Sequence, residues 1–425
     1  MVVGVTTGSA PAWLLTRRPS ASVEAARQGR ATTGHTRLQD GLVVTQVALA
    51  VVTLTAATLM LHSLLKLMAV PLGLRQQGVV LADLTLPPHA YPDADRVRLF
   101  YREALTQTER IPGVRSAAMM TTAPMSGIPW DASYLVEGQE PPGSDDENEC
   151  DYVAVTGDYF RTLGIALTEG RAFSDRDDAG AIPVAVVNGS FSARHLAGGS
   201  PLGKRVSFPF MGGRPLEIVG AVEDVRRWGP EAAPRVTIYV PLAQSPSAIV
   251  TLAARTSHTQ GMAASLRDAL RRVDPNLPLA NLRTMATVVS EASGTRRLAA
   301  SSLATLGGIA LCLSALGLYG ALSRRVVSCR REIGIRLALG AQTREILRQF
   351  MRRGLWLTAA GAAAGSVLSL LLAPLLASLL FGVRPRDPVS LVVVLAAVLL
   401  AATLASSIPA RRAASVDPAV VLRGE

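Results

Sequence analysis

Residues 323–353 read S-R-R-V-V-S-C-R-R-E-I-G-I-R-L-A-L-G-A-Q-T-R-E-I-L-R-Q-F-M-R-R. Nine arginines, Arg324, Arg325, Arg330, Arg331, Arg336, Arg344, Arg348, Arg352 and Arg353, stand against Glu332 and Glu345 alone, a local charge of +7. On either side lie Leu298 to Leu322 and Gly354 to Val383, neither of which carries a charged side chain. An uncharged run of this length crosses a bilayer, since a helix rises about 1.5 Å per residue and about 20 apolar residues suffice. A short arginine-rich loop between two such runs belongs on the cytoplasmic side, by the positive-inside rule.

Two further runs extend the pattern outward, Gly41 to Val70 and Val389 to Ala410. The first carries His62 and Lys66 only near its distal end, where polar side chains reach the interface or the helix continues as a stalk. Four spans predict both termini inside and residues 75–295 outside, a stretch of charge −4 whose length exempts it from the charge rule. The expected organisation is a cytoplasmic segment 1–40, a first transmembrane helix and stalk 41–74, and an extracytoplasmic domain 75–295. A three-helix part follows over 296–410, with spans near 298–322, 354–383 and 389–410 around the loop 323–353, and then a cytoplasmic tail 411–425. The opening residues show no cleavable signal pattern, because Arg17 and Arg18 follow the apolar residues instead of preceding them.

The whole-chain composition agrees. Of 425 residues 49% are hydrophobic and 18% charged, with a mean hydropathy of +0.30, too high for a soluble protein of this size. Basic residues exceed acidic ones by 43 to 32, yet only Lys66 and Lys204 are lysines, and most of the excess sits in the one loop. Topology explains it, and no nucleic-acid module is visible. Cys150, Cys312 and Cys329 are far apart and form no disulfide framework.

In the predicted external domain, Val79 to Leu86, Val114 to Met120 and Ile249 to Ala254 read as strands, with amphipathic helices at Ala94 to Glu109 and Met262 to Val273. Segments from both ends of the excursion therefore build one α+β lobe. Between them, short strands at Val153 to Ala154, Val184 to Val187, Leu216 to Val222 and Val236 to Val240, separated by glycine and proline, suggest an inserted, strand-rich second lobe.

Catalytic motifs fail on their details. Gly198 to Lys204 spells G-x-x-x-x-G-K, but Arg205 stands where Ser or Thr would ligate Mg²⁺. Ser63 to Lys66 spells S-x-x-K on a membrane helix, without companion elements. The five histidines show no i, i+4 pair, and the run Asp145, Asp146, Glu147, Glu149, Asp151 reads as a solvated loop before a Ca²⁺ site. Asp175, Asp177 and Asp178 are followed by Ala179, where a calcium loop needs an oxygen. No catalytic, cofactor or metal residues are expected, and a membrane-anchored enzyme lacks a nucleophile, base and orienting group.

The informative segment is Arg331-Glu332-Ile333-Gly334-Ile335-Arg336-Leu337-Ala338-Leu339-Gly340-Ala341. Its spacing permits a short helix with a Glu332 to Arg336 pair, exposing Ile333 and Leu337 beside small residues that allow close approach by another protein. An interfacial helix on lipid headgroups would show the same pattern. Together with Leu318-Tyr319-Gly320 and the terminal Ile408-Pro-Ala-Arg-Arg-Ala-Ala-Ser-Val-Asp-Pro-Ala-Val-Val-Leu-Arg, it resembles the FtsX-like permeases of ABC transporters. Asp158-Tyr-Phe-Arg-Thr-Leu-Gly-Ile165, Glu169-Gly-Arg-Ala-Phe173, Asn188-Gly-Ser190, Pro201-Leu-Gly-Lys-Arg205 and Ile218-Val-Gly220 resemble the periplasmic core of MacB-like permeases. The likeness covers about residues 36–425, in order.

The resemblance implies an α-helical membrane protein with four transmembrane helices plus an α+β extracytoplasmic domain of two lobes, in a bacterial inner (plasma) membrane. It implies a permease that dimerises, docks on a cytoplasmic ABC ATPase and converts ATP-driven closure into movement of its external domain, called mechanotransmission. Glu332, Ile333, Gly334, Ile335, Arg336, Leu337, Ala338, Gly340 and Ala341 would form the ATPase-coupling interface, and the first span the lever. Residues 1–40 hold no Walker motif, so ATP would be used by a partner subunit and the chain itself would be non-catalytic, with no cofactor bound directly. Its expected partners are that ATPase, a second permease half or a homodimer mate, the lipid bilayer, and a periplasmic adaptor protein in an efflux assembly. An echo between Ser9-Ala-Pro-Ala leading to Arg27-Gln-Gly and Ser407-Ile-Pro-Ala leading to Arg423-Gly resembles the junction of duplicated, Acidobacteria-type permeases, which makes the chain a candidate C-terminal half. The alternative from the same family is a regulatory scaffold controlling an extracytoplasmic cell-wall hydrolase.

Overall fold

The computed structural model describes residues 24–126, 130–139, 148–329, 336, 342–377 and 380–414. The chain divides into a helical unit, Met1–Ser63 with Ala299–Glu425, and a globular unit, Leu64–Leu298.

Four long helices carry the apolar runs: α1 (Glu24–Met68), α7 (Gly294–Ser328), α8 (Thr343–Leu376) and α9 (Pro388–Ala414). Each contains a stretch long and apolar enough to cross a membrane. Their extents differ from the hydropathy runs for a physical reason. Helical hydrogen bonding continues beyond the bilayer, and arginine is a good helix former, so α8 begins at Thr343 and carries its arginines as helix. It ends at Leu376, short of Val383, two residues after Pro374. Beyond it, Gly382 takes a positive φ of 63° and the backbone N–H of Phe381 donates to Ser63 Oγ at 2.7 Å. The serine of the S-x-x-K match thus holds a turn. Asp387 then caps α9, accepting from Ser390 N at 3.1 Å, with Pro388 as the first helical residue.

Inside the helical unit, Val43, Val47 and Val51 of α1 form a core with Leu318 and Leu322 of α7, Ala362 of α8, and Val394, Val398 and Ala402 of α9. Where α8 crosses α1, Gly361 and Gly365 let the backbones meet. A Cβ at Gly361 would lie 2.6 Å from Val47 Cβ, and one at Gly365 2.7 Å from the Ala48 carbonyl oxygen. This is the small-xxx-small contact by which helices associate when no hydrophobic effect drives them together.

Among its described residues the globular unit contains twelve strands: β1 (Val79–Thr85), β2 (Val114–Met120), β3 (Asp131–Ser133), β4 (Leu135–Val136), β5 (Glu149–Val155), β6 (Leu167–Gly170), β7 (Val184–Asn188), β8 (Arg205–Ser207), β9 (Pro215–Val222), β10 (Thr237–Pro241), β11 (Ile249–Thr256) and β12 (Leu279–Thr284). Hydrogen bonding runs β12-β1-β11-β2-β5-β10-β7-β9-β8-β4, with β3 beside β5 and β6 beside β9. The two lobes are the two halves of this order. The first, β12-β1-β11-β2, is antiparallel and draws on both ends of the unit; the second includes the parallel pairs β5–β10 and β7–β9. They are joined between β2 and β5 at the Met120–Val155 pair, flanked by Thr121 N donating to the Ala154 carbonyl and Thr156 N to the Met119 carbonyl, each at 2.9 Å.

Strand parity then divides the core. Val80, Ala82 and Leu84 of β1 face α2 (Ala94–Glu109), through Val97, Phe100, Tyr101 and Ala104, and α5 (Met262–Val273), through Met262, Leu266, Ala269 and Leu270. Val79 and Leu81 point to the opposite side, against Tyr159, Phe160 and Leu163 of α3 (Tyr159–Leu163) and Met285 and Val288 of α6 (Met285–Ala292). With both faces covered, β1 is uniformly apolar from Val79 through Ala82, and Asp83, next in the strand, accepts a hydrogen bond from Thr251 Oγ1 at 2.8 Å; the covering helices show apolar residues three and four apart.

Candidate functional site

Of the nine residues expected to form the coupling interface, Glu332, Ile333, Gly334, Ile335, Leu337, Ala338, Gly340 and Ala341 lie outside the described residues. Arg336 is described; it is exposed and its Nη1 donates to Gln349 Oε1 of α8 at 3.3 Å. The described residues on either side of the segment pack together. Val326 at the end of α7, Ile346 and Phe350 in the first turns of α8, and Ala410 of α9 form a buried cluster, with Cys329 and Met351 packed on it. The segment is therefore rooted on an apolar knot that touches three of the four long helices.

A second tie lies beside it. Arg353 Nη2 of α8 donates to Asp40 Oδ2 of α1, a half-buried ion pair that holds the base of α1 to α8. Just below, a Cβ at Gly354 would lie 2.6 Å from Ser406 Oγ, so α8 and α9 are also in close contact at this level. Arg325, Arg336, Arg352, Arg353, Asp40 and Trp356 surround a cavity of about 700 Å³ at this base. In the sequence Arg325 and Arg352 belong to the charge pattern and Trp356 to an apolar run; their convergence depends on the helix crossing.

In the globular unit the polar residues hold structure. Asp151 of β5 is buried and accepts from Trp228 Nε1 at 2.9 and 3.1 Å, with Arg227 Nε at 3.6 Å. Burial raises its carboxyl above the ordinary range, against the opposing pull of Trp228, Arg227 and Arg235. Arg235 pairs with Asp131 and Glu149 and lies over the Trp228 ring at 5.0 Å. The described end of the acidic run, Glu149 and Asp151, is thus engaged by arginine and tryptophan. Among the described residues no three metal-ligating side chains gather.

The segments that carried the resemblance are fold-holding. Asn188, fully buried at the N-cap of α4 (Gly189–His195), donates to Asp224 Oδ1 at 2.6 Å and the Arg235 carbonyl at 2.8 Å, and accepts from Thr237 N at 2.9 Å. Ser190 donates from N and Oγ to the same Asp224. Arg171 pairs through both Nη atoms with Asp177, at 2.7 and 2.8 Å. Gly164 ends α3 at a φ of 67°, and a Cβ at Gly220 would sit 2.2 Å from the Arg171 carbonyl. Gly198 to Lys204 forms turns that lead into β8 with no helix after them, so the backbone cradle of a phosphate loop is missing.

Comparison with known proteins gives two family matches in chain order: the MacB-like periplasmic core domain over residues 41–272, and the FtsX-like permease C-terminal region over 304–418. The macrolide export ATP-binding/permease protein MacB 2 of Aeromonas hydrophila is 27% identical over 289 residues, 64% of this chain and 43% of that protein. The pyoverdine export ATP-binding/permease protein PvdT of Pseudomonas syringae pv. tomato is 27% identical over 269 residues, 61% of this chain and 40% of that one. The chain thus spans about two fifths of the length of these relatives. Among solved structures, the periplasmic region of MacB from Actinobacillus actinomycetemcomitans aligns with a TM-score of 0.36 at 14% identity, covering 52% of this chain and 95% of that one.

Proposed function

Because the chain belongs to the MacB-like, FtsX-type permeases of ABC transporters, we propose that it is the membrane subunit of an exporter, coupling ATP hydrolysis by a separate ATPase to movement of its extracytoplasmic domain. The observation that supports this reading is the rooting of the 330–341 segment. A protein that grips a short loop moves a helix only if the loop ends in something stiff, and the loop ends here in the buried cluster of Val326, Ile346, Phe350 and Ala410.

Displacement of that knot would be shared among α7, α8 and α9. Asp40–Arg353 and the Gly361/Gly365 contact would pass it to α1. Both α1 and α7 are continuous with the globular unit in sequence, so a change in their separation becomes a change at its two chain ends. No solute path through the helical unit is needed for such a transfer. The chain would sit in the inner membrane with the arginine loop and both termini in the cytoplasm and would bind no nucleotide itself. It would work as a homodimer or beside a second permease half, with a periplasmic adaptor as a further partner.

The test is enzymatic. The purified chain should hydrolyse no ATP, ATPase activity should return when its co-purifying ABC ATPase is added back, and Glu332→Arg should abolish both the association and the stimulated activity. ATP hydrolysis by the isolated chain would overturn the reading.

A further inference from the structure

We propose that the β9–β10 connection, residues 223–236, is the joint through which movement of α1 and α7 enters the globular unit, with Arg296 and Glu231 as the positioning residues that fasten α7 to it. The proposal rests on the reading of the chain as a mechanical coupler and names where the globular unit receives the displacement.

Both chain ends of the globular unit meet this one loop. On the α1 side, four residues after the helix ends at Met68, the Leu72 carbonyl accepts from Arg226 N at 3.1 Å. Gly73, at a φ of 73°, lies so close that a Cβ there would collide with the Asp224 carbonyl oxygen. Val225, between Asp224 and Arg226, is buried in a cluster on which Leu72 and Leu74 also pack. Contact here is backbone on backbone, and such close packing does not slide. On the α7 side, Arg296 in the first turn of the helix pairs with Glu231 of the loop. These side chains are 26% and 45% exposed, so water competes for the pair and it opens at small cost. With one fixed tie and one releasable tie on the same loop, a change in the separation of the two chain ends strains the loop.

The loop is braced to pass that strain on. Arg226 Nη1 donates to the Pro230 and Ala232 carbonyls at 3.2 and 2.6 Å, and Pro230 and Pro234 have their φ fixed by the ring. Its remaining contacts reach both lobes. Asp224 accepts from Asn188 Nδ2 and from Ser190 N and Oγ in the second lobe. Arg227 Nη2 donates to the Thr122 carbonyl at 3.0 Å, and the Arg227 carbonyl accepts from Met125 N at 2.6 Å, both just beyond β2. Arg227 Nε lies 3.6 Å from Asp151 of β5. A shift of the loop therefore acts on β2 and β5, the two strands at which the lobes join. Arg296, a basic residue at the predicted outer end of a span where the charge rule expects few, has a local use in this contact.

The full chain in detergent is compared by hydrogen–deuterium exchange with Arg296→Glu, Glu231→Arg and the charge-exchanged double variant Glu231→Arg/Arg296→Glu. Either single variant should raise exchange in peptides 223–236 and also in 119–126, and the double variant should return both to the wild-type level. With the ATPase bound, each single variant should keep its association and lose about fivefold of the ATP-driven stimulation, the scale of one partly exposed ion pair. The double variant should recover it, which separates the pair's role from damage to the fold. Exchange that rises only around residues 231 and 296, single variants that stimulate like wild type, or a double variant that rescues neither readout overturns the proposal. Failure of the wild-type chain to bind or stimulate the ATPase refutes instead the permease reading, and the exchange comparison, which needs no ATPase, still decides whether the loop links α7 to the junction of the lobes.

Discussion

Asp177 shows how much one side chain contributes in the globular unit. Its carboxylate is 5% exposed and accepts from both Nη atoms of Arg171 and from Ser174 N at 2.8 Å. The Arg171 hydrogen bond is the main reason its carboxyl is held below the usual value of 3.8. A depressed carboxyl pKa means that the unfolded chain binds the proton more readily. The stability it provides is complete above pH about 4 and is lost as pH falls through the lower, native value. Because Arg171 is half exposed and screened by water, Asp177→Asn should cost about 1 kcal/mol near neutrality. The variant should also flatten the acid limb of the unfolding curve, measured by thermal denaturation against pH. Cys150 makes the opposite point. It is buried with its thiol pushed well up by burial, so thiol reagents should leave it unmodified until the chain unfolds.

At the scale of elements, the α1–α8 contact and the knot beneath the coupling segment carry separable predictions. Gly365→Leu places a branched side chain where a Cβ already meets the Ala48 carbonyl and Val51, and overpacking of this kind costs about 1–3 kcal/mol. It should lower the thermal stability of the purified protein in detergent while all four helices still insert. Ile346→Ala removes a buried side chain from the four-residue knot, at a cost of about 2–4 kcal/mol. Its expected signature is ATPase binding retained with stimulation reduced, because the segment is still present but its root is soft. Gly334→Trp should behave in the reverse way, losing association while thermal stability is kept. Wild-type association by both Gly334→Trp and Glu332→Arg would return the segment to a helix lying on headgroups.

The whole molecule is tested by its orientation. Ile182 is 72% exposed in the globular unit, whereas Cys329 packs on the knot at the end of α7. In a background with Cys312 replaced by Ser, an impermeant maleimide applied to intact spheroplasts should label Ile182→Cys and spare Cys329. Permeabilisation should not be needed for the first and should be required for any labelling of the second. Labelling of Cys329 on intact cells would reverse the topology and, with it, the cytoplasmic docking of an ATPase.

The sequence by itself determined the four apolar helices, the two-lobed α+β part between the first and second, and the family. Each of these depends on local composition or on a short periodic pattern: an uncharged run marks a span, alternation marks a strand, and apolar residues three and four apart mark a covering helix. Helix extent was less legible, since hydropathy reports the bilayer and not the hydrogen-bonded turns beyond it, which is why α8 begins within the arginine loop and stops before Val383. Only the tertiary structure decided that Val326, Ile346, Phe350 and Ala410 form one root, that Asp40 pairs with Arg353, and that Arg325, Arg352 and Trp356 border one hollow. It also decided that Asn188, Arg171 and Gly220, prominent in the resemblance, hold the globular unit together. These contacts join residues far apart in the chain, and no local pattern encodes which faces of two helices or which ends of two strands will meet; that is set by the close packing of the folded whole.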